Sequence, residues 1–357
     1  MKKVLIIWAD PKSPNFGVRA LAEGLADLLA SEAEFTFAGH RAPLQAGSLS
    51  VKRLLLSFLA PMSAMRREIR TYDLVVDVGE GDSFATIYGN KRFLQMLLSK
   101  LVVLRARVPL VIAPQTLGPW ETWWARLGAL AVLRGSASAW ARDSASLERA
   151  AAVGAAHVQL ATDLVFAVGR KAPSRRDPRK ALVNVSGLLW SENRHVDHKI
   201  YRQVVQRLIG DAVEAGFTPA LLVHVNAPGN ADDDLYAATE VAQYFGGLSI
   251  VVPDTLEDLR EEIESAEIVV GSRMHACLNA LSLGVPTVPL AYSDKFSRLF
   301  ADLGYPHTID LRQVQDIGLA GDVLKGDLHL LRQEAESAYA TAVAKIKPFE
   351  SALRMSL

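Results

Sequence analysis

Short apolar runs alternate with amphipathic stretches along the whole chain, and two periods can be read from them. Val4-Leu5-Ile6-Ile7-Trp8, Leu74-Val75-Val76-Asp77-Val78, Val108-Pro109-Leu110-Val111-Ile112-Ala113, Ser138-Ala139-Trp140-Ala141-Arg142 and Val158 to Ala161 are near-continuous apolar runs. Such runs predict strands of a parallel sheet buried on both faces. Between them, apolar residues at helical spacing predict helices over about 18–30 and 91–105 and from about Glu121. A second alternation begins at Ala181 to Ser186. It predicts helices near 198–215, 231–245 and 255–265, and strands at 219–225, 248–252, 267–270 and Pro286 to Ala291. A further helix is expected from about Lys295, and the tail over about 328–352 also reads as helix.

The run Ile268-Val269-Val270 leads into Gly271-Ser272-Arg273-Met274-His275-Ala276-Cys277-Leu278-Asn279-Ala280-Leu281-Ser282-Leu283-Gly284. Gly271 predicts a turn, Ser272 an N-cap, and Gly284 the end of a helix running from Arg273 to about Leu283. Met274, Cys277, Leu278 and Leu281 share one stripe; His275, Asn279 and Ser282 share another. An Arg and a His beside a helix N-terminus suit a phosphate. A capped surface helix with a solvated Arg fits the spacing equally well.

The two halves echo each other. Tyr72-Asp73-Leu74-Val75-Val76 and Ala266-Glu267-Ile268-Val269-Val270 each pass through a glycine turn and a helix to a Val-Pro strand. The expected fold is therefore α/β, with two doubly wound Rossmann-like domains facing across a cleft. Residues 1–168 form the first domain and 181–330 the second. Between them 169–180, with six cations, two prolines and no apolar period, is the linker. Residues 331–357 are expected as a C-terminal helix bracing both domains.

Composition changes this picture in few places. The 357 residues carry 39 basic and 39 acidic side chains, which argues against nucleic acid as the main partner. Charge is uneven: 41–107 hold 11 basic and 5 acidic residues, and 231–267 hold 11 acidic and 1 basic. A basic N-terminal face favours anionic ligands or anionic lipid. Within it, Leu54 to Met62 are bracketed by Lys52, Arg53, Arg66, Arg67 and Arg70, with Pro61 dividing the segment. Buried packing is the expectation there, and contact with a membrane surface the alternative. Cys277 is the sole cysteine, so no internal disulfide can form and a reducing, cytoplasmic setting fits. The apolar run after Met1-Lys2-Lys3 is too short for a signal-peptide core, and no stretch has the length of a membrane span.

Chemistry-bearing candidates lie where predicted strands end. Gly79-Glu80-Gly81-Asp82 allows close backbone approach to a ligand, and Glu80 or Asp82 can move protons or hold sugar hydroxyls. Arg142 stands beside the helix N-cap pair Asp143-Ser144. Trp123 and Trp124 read as core or interface aromatics. His195, Asp197 and His198 lack a third ligand for a metal, and Asp232-Asp233-Asp234 reads as a solvated acidic turn.

Several of these segments together resemble the polysaccharide pyruvyl transferase family, whose architecture is that of GT-B glycosyltransferases. They are Asn15-Phe16-Gly17, Pro114-Gln115-Thr116-Leu117-Gly118-Pro119, Ala141-Arg142-Asp143-Ser144 and Asp163 with the Phe166 that follows. Gly271-Ser272-Arg273-Met274-His275-Ala276 and Tyr292-Ser293-Asp294-Lys295 complete the set. The Arg-x-His block with the later lysine is the specific part. Gly79-Glu80-Gly81-Asp82 departs from the family's glycine triplet.

The resemblance implies transfer of the enolpyruvyl group of phosphoenolpyruvate onto two hydroxyls of a saccharide, in cell-surface polysaccharide synthesis. The acceptor can be free or lipid-linked. Arg142, His275 and Lys295 would hold the donor, with Arg273 and Ser272 close by and His275 as the acid. Glu80 or Asp82 would take the hydroxyl protons, and Asn15, Gly17, Gln115 and Asp163 would lie on the acceptor side. No metal or organic cofactor is implied; phosphoenolpyruvate is a co-substrate. Two other functions stay open. One is a GT-B glycosyltransferase using a nucleotide sugar, against which Asn279 stands where such enzymes carry a Glu. The other is a non-catalytic saccharide- or phosphoenolpyruvate-binding member.

Overall fold

The computed structural model describes residues 1–39, 43–45, 47–81, 83–170, 176–313 and 324–357. The chain forms two compact units, each built on a parallel sheet flanked by helices. Unit 1 comprises Met1–Ser13, Val18–Val168 and Ala342–Leu357; unit 2 comprises Pro14–Gly17 and Gly169–Thr341.

Unit 1 holds β1 (Lys2–Ile7), β2 (Ala33–Ala38), β3 (Leu74–Asp77), β4 (Ser83–Phe84), β5 (Leu110–Leu117), β6 (Ser138–Ala141) and β7 (Gln159–Leu160). Its sheet runs β2-β1-β3-β5-β6-β7, with β4 joined to β5. The runs Val4–Ile7, Leu74–Asp77 and Leu110–Leu117 are buried throughout, as continuous apolar runs require. At the sheet's edge, β2 was not expected from the sequence. Its central residues are only half-buried or exposed, so it shows no run of core residues.

Unit 2 holds β8 (Lys180–Asn184), β9 (Thr218–Leu222), β10 (Ile250–Val251), β11 (Ile268–Gly271), β12 (Thr287–Ala291) and β13 (Ile309–Asp310). Here the order is β10-β9-β8-β11-β12-β13. Val269 faces Leu182 on one side and Thr287 on the other, so β8, β11 and β12 share a register. The helix Leu328–Met355 gives its part up to Thr341 to unit 2 and the rest to unit 1.

Three expectations need correction. Ser272 does not cap the helix after β11: the N-cap is Arg273, without a side-chain cap bond, and the helix is Met274–Ser282. Every residue of that helix is buried, so neither predicted stripe is exposed. Residues 51–70 form two helices, Val51–Leu59 and Ala64–Ile69, divided around Pro61. Buried packing holds only for one side of them, because Leu55, Leu56, Leu59 and Met62 are exposed. Trp124 packs on the core, tilted against Phe93 at 5.6 Å, and Trp123 is 75% exposed.

No helix among the described residues is long and apolar enough to cross a membrane. The wholly buried helix after β11 has no solvent side into which a change can relax. Leu281→Ala should therefore lower the unfolding free energy by about 2–5 kcal/mol. Urea denaturation measures this, and a loss within error of zero would mean that the helix is less tightly packed than described.

Candidate functional site

The chemistry of unit 2 gathers at the carboxyl ends of β8, β9 and β11, the usual ligand edge of a doubly wound sheet. Asp234 lies at its centre, fully buried. Oδ1 accepts from Arg273 Nη2 at 2.7 Å, Arg273 Nε at 3.0 Å and the Gly187 amide at 3.0 Å. Oδ2 accepts from the Val225 amide at 3.0 Å, Asn184 Nδ2 at 3.2 Å and the His224 amide at 3.3 Å. Asp232 adds an ion pair to Arg273 Nη1 at 2.8 Å, and its carbonyl accepts from Nη2 at 2.7 Å. Asp233 caps the helix Asp234–Tyr244. The acidic triplet is thus no solvated turn: its central and last members are buried, and its first and last clamp an arginine.

Arg273 is held in place by these acids, and its amide donates to Asn184 Oδ1 at 2.9 Å. Burial works against its charge, but Asp234 and Asp232 outweigh that and push its pKa further up. Ser272 is buried as well. Its Oγ accepts from the Tyr201 hydroxyl at 2.7 Å, and that hydroxyl accepts from the Ser186 amide at 2.8 Å. Burial raises the Tyr201 pKa strongly, so the phenol stays protonated as a donor. Arg273 and Ser272 both serve to set the start of the helix that carries His275.

His275 sits in the first turn of that helix and is 8% exposed. Asn15 and the first residues, Phe16 and Gly17, of the helix Phe16–Leu29 lie against it. Asn15 Oδ1 accepts from the Gly17 amide at 2.9 Å, and the Phe16 amide donates to the His224 carbonyl at 3.2 Å. A Cβ at Gly17 would stand 2.5 Å from His275 Nδ1, so only glycine lets the backbone come this close. Lys295, half-buried, opens the helix Asp294–Asp302 after β12. Its charge helps to lower the pKa of His195, after burial and Arg194, and His195 in turn rests edge-on against Tyr292 at 5.3 Å. Asp197 caps the helix His198–Glu214 rather than serving a metal.

Nothing in the local sequence marks His224, which follows an apolar strand. Its ring is 1% exposed, packs edge-on to Phe16 at 5.9 Å, and has no hydrogen-bond partner on either nitrogen among the described residues. Burial first, then the nearby His275 and Arg273, push its pKa well below the usual value, so it is a neutral imidazole at ordinary pH.

Unit 1 has two buried polar clusters of its own. Arg142, 2% exposed, pairs with Asp163 at 2.9 Å, donates to Thr116 Oγ1 at 2.7 Å, and keeps Nε without a partner among the described residues. Gln115 donates to Asp77 Oδ2 at 2.9 Å, and Asp77 pairs with fully buried Lys100 at 3.0 Å. Burial lowers the Lys100 pKa despite that partner. Gln115 Oε1 is buried and has no hydrogen-bond partner among the described residues. Glu80 takes a positive φ of 56° and pairs with Arg92 at 3.4 Å. Asp82 lies outside the described residues. Asp77 and Lys100 join this cluster through pairings 23 and 38 positions apart, which no local motif announces.

This is a two-domain α/β protein of GT-B type. An Anabaena protein, Alr3699/HepE, solved with UDP and glucose, matches 100% of this chain and 99% of its own at 13% identity and a TM-score of 0.58. The UDP-GlcNAc 2-epimerase of Methanocaldococcus jannaschii matches 98% of this chain and 100% of its own at 12% identity and a TM-score of 0.59. No curated protein sequence matches the chain significantly. The model of the polysaccharide pyruvyl transferase family matches residues 15–294, and the chain belongs to that family.

His224 gives a test of the site's electrostatics. Its folded pKa is depressed, so below about pH 6.5 the unfolded chain takes up a proton that the native one refuses. Stability from this group is complete above that pH and declines as pH falls, by up to about 1.4 kcal/mol per unit. His224→Phe should remove this slope while leaving stability above pH ~7 independent of pH in the difference. Equal slopes in the two proteins, measured by denaturant unfolding, would show that His224 is not held neutral.

Proposed function

We propose that this protein transfers the enolpyruvyl group of phosphoenolpyruvate to two hydroxyls of a saccharide, forming a pyruvate ketal and releasing phosphate. The observation that carries this reading is the setting of His275. It is a buried imidazole in the first turn of a helix without a side-chain cap, with a glycine backbone against its ring and neutral His224 beside it. An anionic donor suits such an N-terminus. Lys295 of the same unit supplies a further cation suited to a substrate anion.

Ketal transfer needs an acid first. His275 gives its proton to the methylene carbon of the donor, which becomes a methyl group and leaves an oxocarbenium-like C2. One saccharide hydroxyl adds to C2 and loses its proton. The second hydroxyl then takes the place of the phosphate; of the two hydroxyl protons, one restores His275 and the other leaves with the phosphate. The steps as written call on no metal or organic cofactor. Arg273, bound by Asp232 and Asp234, enters as a positioning residue for the helix.

The nucleotide-sugar alternative draws on the structural neighbours, among them the Anabaena protein solved with UDP and glucose. Against it stands Asn279, which is wholly buried: Nδ2 donates to the His275 carbonyl at 2.7 Å, and Oδ1 accepts from Arg260 at 3.2 Å. Its amide is thus occupied in the core and does not reach ribose hydroxyls.

His275→Gln keeps a hydrogen-bonding side chain but has no proton to deliver. It should bind phosphoenolpyruvate within about tenfold of wild type and lose at least ~100-fold in phosphate release with a saccharide acceptor. Calorimetry and a phosphate-release assay read the two effects. Wild-type turnover in the variant removes His275 from the acid role. Binding of UDP-sugar without phosphoenolpyruvate by the wild-type protein replaces this reading with the nucleotide-sugar one.

A further inference from the structure

The helix Val51–Leu59 is apolar on both sides, which a helix bathed by water has no reason to be. Val51, Leu54 and Phe58 turn inward and pack on the core of unit 1. On the opposite face, Lys52, Leu55, Leu56 and Leu59 follow one another at i, i+3, i+4 and i+7. The three leucines are 45%, 57% and 65% exposed, and Met62, just past the helix, is 67% exposed. Single exposed leucines are ordinary, but four large apolar side chains within eight residues make a patch.

The charge around the patch is of one sign. Lys52, Arg53, Arg67, Arg70, Arg105 and Arg107 are all exposed. Val51–Leu59, Ala64–Ile69 and Asn90–Ala106, the three helices that pack together here, contain one acid between them, Glu68. Buried Arg66 ties the group together: its Nη2 donates to the Arg105 carbonyl at 2.7 Å and its Nη1 to the Ala60 carbonyl at 3.4 Å. The Arg105 guanidinium lies 4.1 Å from the centre of the Phe58 ring. Repulsion from Arg70, Arg105 and Arg107 adds to desolvation in lowering the Arg66 pKa, a mark of how closely these cations are gathered.

We propose that this face of unit 1 docks on an anionic lipid bilayer, with Leu55, Leu56, Leu59 and Met62 set into the headgroup–acyl boundary and the surrounding cations over lipid phosphates. Apolar insertion and cationic attraction each contribute, and together they give reversible surface binding without a span. The inference stands on this surface alone and is independent of the group transferred at the catalytic site.

The test is flotation of the full chain with phosphatidylcholine vesicles, with or without phosphatidylglycerol, over a salt series. The protein should float with the anionic vesicles, release as salt rises, and ignore the neutral ones. Leu55→Ser/Leu56→Ser/Leu59→Ser, all at exposed positions, should reduce the bound fraction at least tenfold, as should Lys52→Glu/Arg67→Glu. Circular dichroism checks that both variants fold. Absence of flotation, equal flotation on neutral vesicles, or unchanged flotation of the serine variant overturns the proposal. So does sedimentation showing a dimer that the serine variant converts to monomer, since the face then binds a second copy.

Discussion

The carboxylate of Asp234 is the interaction on which the second unit's site depends. It is fully buried and accepts six hydrogen bonds, from the loops after β8 and β9 and from the arginine that precedes the His275 helix. A buried carboxylate is costly unless its lone pairs are filled and a cation lies against it. Both conditions are met here, and meeting them fixes three loop ends relative to one another. Removing any one partner would leave a desolvated charge, so the arrangement is held as a unit. The position of His275 is a product of that unit.

This changes what the Arg-x-His block means physically. From spacing alone, Arg273 is a cation offered to a ligand. In place, three of its nitrogens are bonded to Asp232 and Asp234, and the residue one step on presents the helix start. A guanidinium in a rigid fork is well suited to such bracing, because its donors are planar and prearranged. The division is between Arg273, which sets geometry, and the histidine beside it, which faces Gly17 and His224. Unit 1 repeats the device: Arg142 is held by Asp163 and Thr116, and Lys100 by Asp77 under Gln115. In both units the carboxylates of these buried pairs stand at or just beyond the carboxyl ends of strands, where a doubly wound sheet gathers ligands.

Much of the fold was legible because it obeys one-dimensional rules. Apolar runs gave β1, β3, β5, β8 and β11, and the helix after β11 was located to within a residue at each end. What failed was read from local chemistry that tertiary contact overrides. Asp232-Asp233-Asp234 reads as solvated in any window, because the arginine that buries it is 39 positions away from Asp234. Ser272 has the chemistry of a cap, but Tyr201, 71 positions earlier, takes its hydroxyl. The edge strand β2 shows no continuous apolar run because the middle of it is not buried. His224 gave no signal at all, since a lone histidine after an apolar strand has the same sequence signature whether it packs or reacts.

Two populations of cations result, and they answer different physical demands. Lys100, Arg142 and Arg273 are buried, and each is matched to a carboxylate within 3.0 Å. Inside the protein an uncompensated charge is costly, and the carboxylate partner offsets much of that cost for these three. Apart from buried Arg66, the cations of 51–70 and 105–107 stand at the surface, where water supplies that compensation and a near-absence of acids costs little. Net charge is zero over the chain, so the acids missing here are concentrated elsewhere, chiefly in 231–267. A sequence-wide balance thus hides a local field of one sign over exposed leucines. Stability explains the first population; the second is the surface on which the proposed lipid docking rests.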